Sequence, residues 1–266
     1  MLTKRLGILG VIAILPAFAQ VSSAPPSPDT NAKIAPRRHD VIREKVERGD
    51  GTVTSGNWSG YAVTGSGFTK AEGSWKVPAV SCSSGNQYAS FWVGIDGYSS
   101  KTVEQTGTES DCSGATLTYY AWYEFCCKQP EIPISSITVL PGDTMSASIV
   151  YASGKFTVTI TDERTGQSFK TSKRVFTAKR TSAEWIAEAP YSGGILPLAD
   201  FGTVLFGYDN TGITGTNYAT DTATNGPIGV FPTIEQITMA KSSVTEALPT
   251  SLSSDGTSFS VTWFAQ

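Results

Sequence analysis

The chain has 266 residues, of which 39% are hydrophobic and only 16% charged, and its formal net charge is −3. That length is enough to bury a sizeable core, while the charge balance excludes nucleic acid or an anionic membrane surface as a natural partner. Past the N-terminus no apolar run approaches the roughly 18 residues of a membrane span, so no membrane partner is expected after maturation.

In chain order, residues 1–19 read as a secretory signal peptide. Lys4 and Arg5 form a basic start, residues 6–15 a short apolar run, and Ala17 and Ala19 the small residues before a cut. The expected location is therefore secreted and extracellular. Residues 20–52 differ from everything after them. Pro25, Pro26, Pro28 and Pro36 break structure, and Arg37, Arg38, Arg43, Lys45 and Arg48 then alternate with Asp40, Glu44 and Glu47. This segment reads as a propeptide whose basic face covers an acidic site until low pH loosens it. From Gly51 onward the balance turns acidic, with 12 Lys+Arg against 18 Asp+Glu.

Residues 53–266 read as one all-β domain. Short runs rich in Val, Thr, Tyr, Phe and Ile are punctuated by Gly, Asp and Asn. Strands are expected at 57–63, 88–95, 117–125, 136–139, 144–151, 156–162, 168–176, 183–188, 201–208, 234–239 and 258–264. Phe156, Val158 and Ile160 point one way and Thr157, Thr159 and Thr161 the other, the pattern of a half-buried antiparallel strand. Many short strands at this spacing argue a sandwich or barrel.

The four cysteines are Cys82, Cys112, Cys126 and Cys127. Behind a signal peptide, disulfides are expected. A bond between the neighbours Cys126 and Cys127 is strained, so Cys82–Cys112 is the preferred bridge. The adjacent pair is left open among a ring disulfide, two thiols, or one partner each for the other two. No His lies near them, which removes the usual companions of a zinc site; neither metal nor cofactor is expected.

The single His, His39, lies in the segment to be removed. A Ser–His–Asp or Cys–His enzyme would lose its base on maturation, and an HExxH zinc helix is absent. What remains for hydrolysis is carboxylates and amides.

Four blocks follow in order: FWVGIDGYSSKTVEQTGTE from Phe91 to Glu109, YYAWYEF from Tyr119 to Phe125, SAEWIAE from Ser182 to Glu188, and Asp200-Phe201-Gly202. Together they resemble the glutamic peptidases of fungi and bacteria, the eqolisins, over about residues 55–264. The resemblance implies a sandwich of two antiparallel sheets with concanavalin A- or lectin-like architecture. It also implies a secreted acid endopeptidase acting on proteins and peptides, here expected as a monomer. It carries the catalytic Gln onto Gln105 and the catalytic Glu onto Glu184. Substrate-groove and supporting positions fall on Trp58, Trp92, Asp96, Trp122 and Glu124, with Glu109 where relatives often have Asp. This chain departs from its relatives at Tyr120, Ser182 and Cys126–Cys127. Glu188 reads as structural.

In chemical terms, a carboxylate can take a proton from water and pass it to the leaving nitrogen, while an amide orients the water and donates to the oxyanion. Two other classes use similar features. A carbohydrate-binding sandwich would stack sugars on Trp58 or Trp122. A glycoside hydrolase would place two acids roughly 5–9.5 Å apart in a groove.

Overall fold

The computed structural model describes residues 37–39, 41–125 and 129–266. The expected signal peptide, residues 20–36 and the Cys126–Cys127 pair lie outside the described residues.

The strands are β1 (Val46–Glu47), β2 (Thr52–Ser55), β3 (Trp58–Thr64), β4 (Lys70–Lys76), β5 (Asn86–Ile95), β6 (Glu104–Ser113), β7 (Thr116–Phe125), β8 (Ile132–Ile134) and β9 (Thr144–Ala152). They continue as β10 (Lys155–Asp162), β11 (Ser168–Lys173), β12 (Ser182–Glu188), β13 (Thr203–Phe206), β14 (Tyr218–Thr220), β15 (Asn225–Pro227), β16 (Ile234–Lys241), β17 (Val244–Pro249) and β18 (Phe259–Trp263). Among the described residues, helix is limited to Tyr208–Thr211 and a 3-10 turn at Ile228–Val230.

Local chemistry explains the clearest hairpin. In β10 the buried positions alternate with partly exposed Thr. Lys155 pairs with Ala152 of β9, leaving only Ser153 and Gly154 to turn the chain. Both have positive φ, 50° and 75°, as a two-residue turn matched to strand twist requires.

Two layers result. One sheet runs β8–β7–β6–β5–β12–β3–β16, all antiparallel. Beyond it β2 pairs with β16 in parallel, the one parallel strand pairing among the described residues. The other layer is built on β11–β10–β9–β4, with β13 and β14 against β4. The chain β16–β17–β18–β13 joins the layers at one end. Between them lies the main core, including Trp75, Phe91, Val93, Ile149, Phe156, Ile160, Trp185 and Phe206. A second buried cluster (Trp58, Trp92, Trp122, Tyr120, Ile186, Ile42) sits on the opposite face of the first sheet.

The all-β sandwich expected from sequence is what forms, with differences in detail. Residues 136–139 are not a strand: Ile137 and Val139 are buried anchors of an irregular loop, so their alternation reports packing, not pairing. The run expected over 168–176 stops at Lys173, and Phe176 is exposed. Strands β4 and β6, each central to its layer, were not expected.

Cys82 and Cys112 are bonded as expected, across a separation of 30 residues. The bridge ties the segment before β5 to the end of β6. Loop-closure entropy for such a span gives about 3–4 kcal/mol. The double variant Cys82→Ala/Cys112→Ala is expected to lose about that much in urea unfolding. A loss under about 1 kcal/mol would show that the bridge is energetically idle.

Candidate active site

Strand register builds the site. Gly94 of β5 pairs with Gln105 of β6 on one side and with Glu184 of β12 on the other. Glu124 of β7 pairs with Gln105, and Ala62 of β3 with Glu184. Glu124, Gln105, Gly94, Glu184 and Ala62 therefore form one row across five strands, on one face. Two residues along each strand comes the row Trp122, Gly107, Trp92, Ile186 and Gly60; a further two brings Tyr120, Glu109, Ser90, Glu188 and Trp58. The period of two puts all three rows on the same face.

Gly94 matters because it has no side chain. It leaves a gap between Gln105 and Glu184, whose Cα atoms are two strand spacings apart, roughly 9.5 Å. A Cβ at Gly94 would lie 3.1 Å from the Gln105 Cβ and 3.0 Å from the Trp92 ring. Among the described residues, Gln105 Oε1 is buried with no hydrogen-bond partner, and both Glu184 carboxyl oxygens are buried with none at full hydrogen-bond geometry, the Ser182 hydroxyl and the Tyr98 amide lying near enough only to favour the charge. Such groups are costly, and each calls for an explanation.

Residues 37–39 lie across this face. The Gln105 Nε2 amide donates to the His39 carbonyl oxygen. The His39 N–H donates to Glu124 Oε2 at 2.9 Å. Its imidazole stacks on Trp122 at 3.6 Å and 15°, with Nδ1 3.1 Å from Glu188 and Nε2 2.5 Å from Glu131. Arg37 reaches Asp111 at 2.5 Å and Glu109 at 3.4 Å. Ile42 completes the cover beside Trp58. His39, Glu109 and Glu131 bring one potential ligand atom each within 4.8 Å of one another. In this arrangement the two carboxylates face the chain's own imidazole and guanidinium.

Burial dominates the electrostatics. It raises Glu184 well above the ordinary carboxyl range; Asp96 and Glu104 add to this, while Ser182 and the Tyr98 amide draw it down in part. Burial pushes Glu104 up to about 9. It pushes Glu124 up to about 8, against the opposing pull of His39. Burial alone would lower His39, but Glu131, Glu188 and Glu109 together raise it well above its usual value.

These shifts fix a sign for stability. A buried carboxyl that holds its proton in the fold costs nothing below about pH 4.5, where the unfolded chain is protonated too. Above that the unfolded chain releases the proton and the fold does not, so stability falls as pH rises. A raised His39 acts in the same direction above about pH 6.5. Glu47, Asp50 and Asp255 are shifted the other way but are exposed, so screening leaves them small. The melting temperature is expected to fall between about pH 4.5 and 8, by the equivalent of several kcal/mol. Thermal unfolding at stepped pH checks this; a flat or rising profile contradicts it.

The structure brings Gln105, Glu184, Trp58, Trp92, Glu109, Trp122 and Glu124 onto one face. Asp96 is different. Its carboxylate accepts from the Lys179, Arg180 and Thr181 amides and the Thr102 hydroxyl, which fixes the turn entering β12. It sits at φ 71° and acts on Glu184 only through its charge. Glu188, read from sequence as structural, lies on the groove face, where it accepts from Trp92 Nε1 at 2.7 Å. Its spacing of four from Glu184 on one strand signalled this. Glu131, Asp111 and Glu104 were also missed. Glu104 is buried with both oxygens unpartnered.

Residues 56–263 match the family model described as the Peptidase A4 family. The chain belongs to that family. Among relatives of this A4 chain, Aspergillopepsin-2 of Aspergillus niger is 33% identical over 182 residues, 57% of this chain and 62% of that protein. The match thus spans less than two thirds of that relative. Scytalido-glutamic peptidase, solved with a transition state analog inhibitor, superposes with a TM-score of 0.65 at 25% identity, covering 79% of this chain and 98% of the other. Aspergilloglutamic peptidase from Aspergillus niger gives 0.56 at 28% identity, covering 67% and 99%.

Proposed function

We propose that this chain is a secreted glutamic-type endopeptidase that works in acid, with Gln105 and Glu184 acting on one water. The observation that carries the reading is the Gln105–Gly94–Glu184 row. It presents unpartnered acceptors on either side of a bare glycine, under a stretch of extended peptide. A water has two hydrogens to donate, and Gln105 Oε1 and Glu184 are two acceptors for them. So held, the water aims a lone pair at a carbonyl carbon whose oxygen takes the Gln105 Nε2 hydrogen. Glu184 accepts the water's proton and returns it to the leaving nitrogen. Gln105 stabilises the oxyanion.

The acid optimum follows from solvation. Displacing residues 37–39 rehydrates Glu184 and brings it back toward the ordinary Glu value of about 4.3. The neighbouring Glu109, Glu124 and Glu188 lose their mutual repulsion only when largely protonated. Residues 1–19 as a leader and 20–52 as a propeptide complete the reading, with protein and peptide substrates outside the cell.

The test is hydrolysis of a denatured protein by the acid-treated chain between about pH 2 and 5, an interval bracketing an unperturbed Glu. Internal cuts that fade toward neutral pH are expected. Polysaccharide binding lost on Trp58 or Trp122 substitution, with no proteolysis at any pH, would replace this reading with a carbohydrate-binding one.

A further inference from the structure

We propose that the covered groove is also a metal site, in which His39 Nε2, Glu109 Oε2 and Glu131 Oε2 hold one divalent transition ion, Zn²⁺ by its donor chemistry, and so clasp residues 37–39 onto the sheet. The proposal stands apart from the peptidase reading, because neither Gln105 nor Glu184 takes part in it.

The three donors come from separate parts of the chain. Glu109 lies in β6, Glu131 just before β8, and His39 on the segment that crosses the groove. One ligand atom of each lies within 4.8 Å of the others. His39 Nε2 is 2.5 Å from Glu131 Oε2 and 3.5 Å from Glu109 Oε2. A tetrahedral zinc with bonds of about 2.0–2.2 Å places its ligand atoms roughly 3.4 Å apart, so one pair already fits and the other must open by about 0.9 Å.

The cluster is marked as a site by what holds the far atom of each donor. His39 Nδ1 lies 3.1 Å from Glu188 Oε2, which in turn accepts from Trp92 Nε1 at 2.7 Å. With Nδ1 donating to that carboxylate, Nε2 carries the lone pair. The Tyr120 hydroxyl donates to Glu131 Oε1 at 2.6 Å, and Arg37 Nη1 donates to Glu109 Oε1 at 3.4 Å. Stacking on Trp122 fixes the plane of the ring. Outer partners of this kind orient the ligands of metal centres. Glu109 Oε2, in contrast, is buried with no hydrogen-bond partner among the described residues. An acceptor so deep without a donor is costly, and a cation between the three ligand atoms satisfies it.

Charge argues the same way. Five buried carboxyls, those of Glu109, Asp111, Glu124, Glu131 and Glu188, surround the ring and Arg37. A divalent ion in place of a proton on Nε2 adds a second positive charge where they meet. One nitrogen with two oxygens suits Zn²⁺ better than Mg²⁺ or Ca²⁺, which favour oxygen throughout.

The experiment takes the full chain without its leader, stripped with EDTA and desalted, and adds Zn²⁺ alone at neutral pH. Calorimetry is expected to show a single equivalent bound with a Kd in the micromolar range or below. At about 100 times that Kd, the ion is expected to shift the folding equilibrium about 100-fold toward the fold, read as a higher melting temperature. X-ray absorption at the zinc edge is expected to show nitrogen and oxygen at about 2.0–2.2 Å, without the sulfur at about 2.3 Å that Cys126 or Cys127 would give. His39→Gln and Glu131→Gln are each expected to weaken binding at least ten-fold, and Glu188→Gln about ten-fold through the ring it orients. Cys126→Ser/Cys127→Ser is expected to leave binding unchanged. Where a variant does not fold, the wild-type absorption spectrum decides. Absence of saturable binding, a sulfur neighbour, or a Kd unchanged in both His39→Gln and Glu131→Gln overturns the site. Hydrolysis of denatured protein in acid does not depend on that result, so its failure leaves the Gln105–Glu184 reading standing.

Discussion

Glu184→Gln is expected to lower kcat on a denatured protein by about 10⁴-fold, at the upper end of what a positioned acid–base group supplies. The amide is nearly isosteric with the acid, so the fold has no reason to change. It cannot accept the water's proton or return it to the leaving nitrogen. Stability gives a second readout of opposite sign. Glu184 is buried, with neither oxygen in a full hydrogen bond among the described residues, and a neutral replacement removes the cost of ionising there. The variant is therefore expected to melt higher than wild type at neutral pH and to match it in acid. Gln105→Ala removes the oxyanion donor and the second water acceptor. Its expected loss is roughly 10²–10³ in kcat. If the two groups act on one water, as proposed, the double variant is expected to fall little below Glu184→Gln alone. Full activity in either single variant would remove the pair from the mechanism, whatever the register of the strands.

Gly94→Val carries the second large effect. Its Cβ would press on Trp92 and on the Gln105 Cβ at 3.0 and 3.1 Å, and its methyls would project into the gap between amide and acid. No chemical group is lost, yet the carbonyl and the water could no longer share the space. A displacement of about 1 Å at such a centre costs on the order of 10²-fold. A fall of at least 10² in kcat/KM is expected, beside a stability loss of about 1–3 kcal/mol from overpacking. Gly94→Ala should fall between. Normal kcat/KM in the Val variant would mean that substrate does not pass over Gly94.

These two arguments rest on β6 and on a glycine, and neither was legible as structure from the sequence. Strands such as β10 and β9 announce themselves by alternating apolar residues against Thr and Ser. Strand β6 reads Glu-Gln-Thr-Gly-Thr-Glu-Ser-Asp-Cys-Ser, with almost nothing apolar on either face. One face lines the groove. On the other, Thr106 donates to the Trp122 carbonyl at 2.6 Å and Thr108 accepts from Trp75 Nε1 at 2.9 Å. Polar atoms satisfied by tertiary partners look, in sequence, like a loop. Gln105 and Glu184 were reachable only through the ordered blocks around them. Glu188 shows the converse: the period of two placed it beside Glu184, but it was set aside as structural. Glu131 had no local signal, because only the fold returns β8 alongside β7.

The groove also holds the chain's sole imidazole. In a proton NMR spectrum the protein therefore has one histidine ring pair. While the ring lies 3.6 Å above Trp122, the indole's ring current should move those lines upfield from their free-peptide positions. Once the segment departs they should return, with an ordinary titration near pH 6.5. The molecule thus carries its own spectroscopic gauge of groove occupancy, and needs no added label to follow its opening in real time.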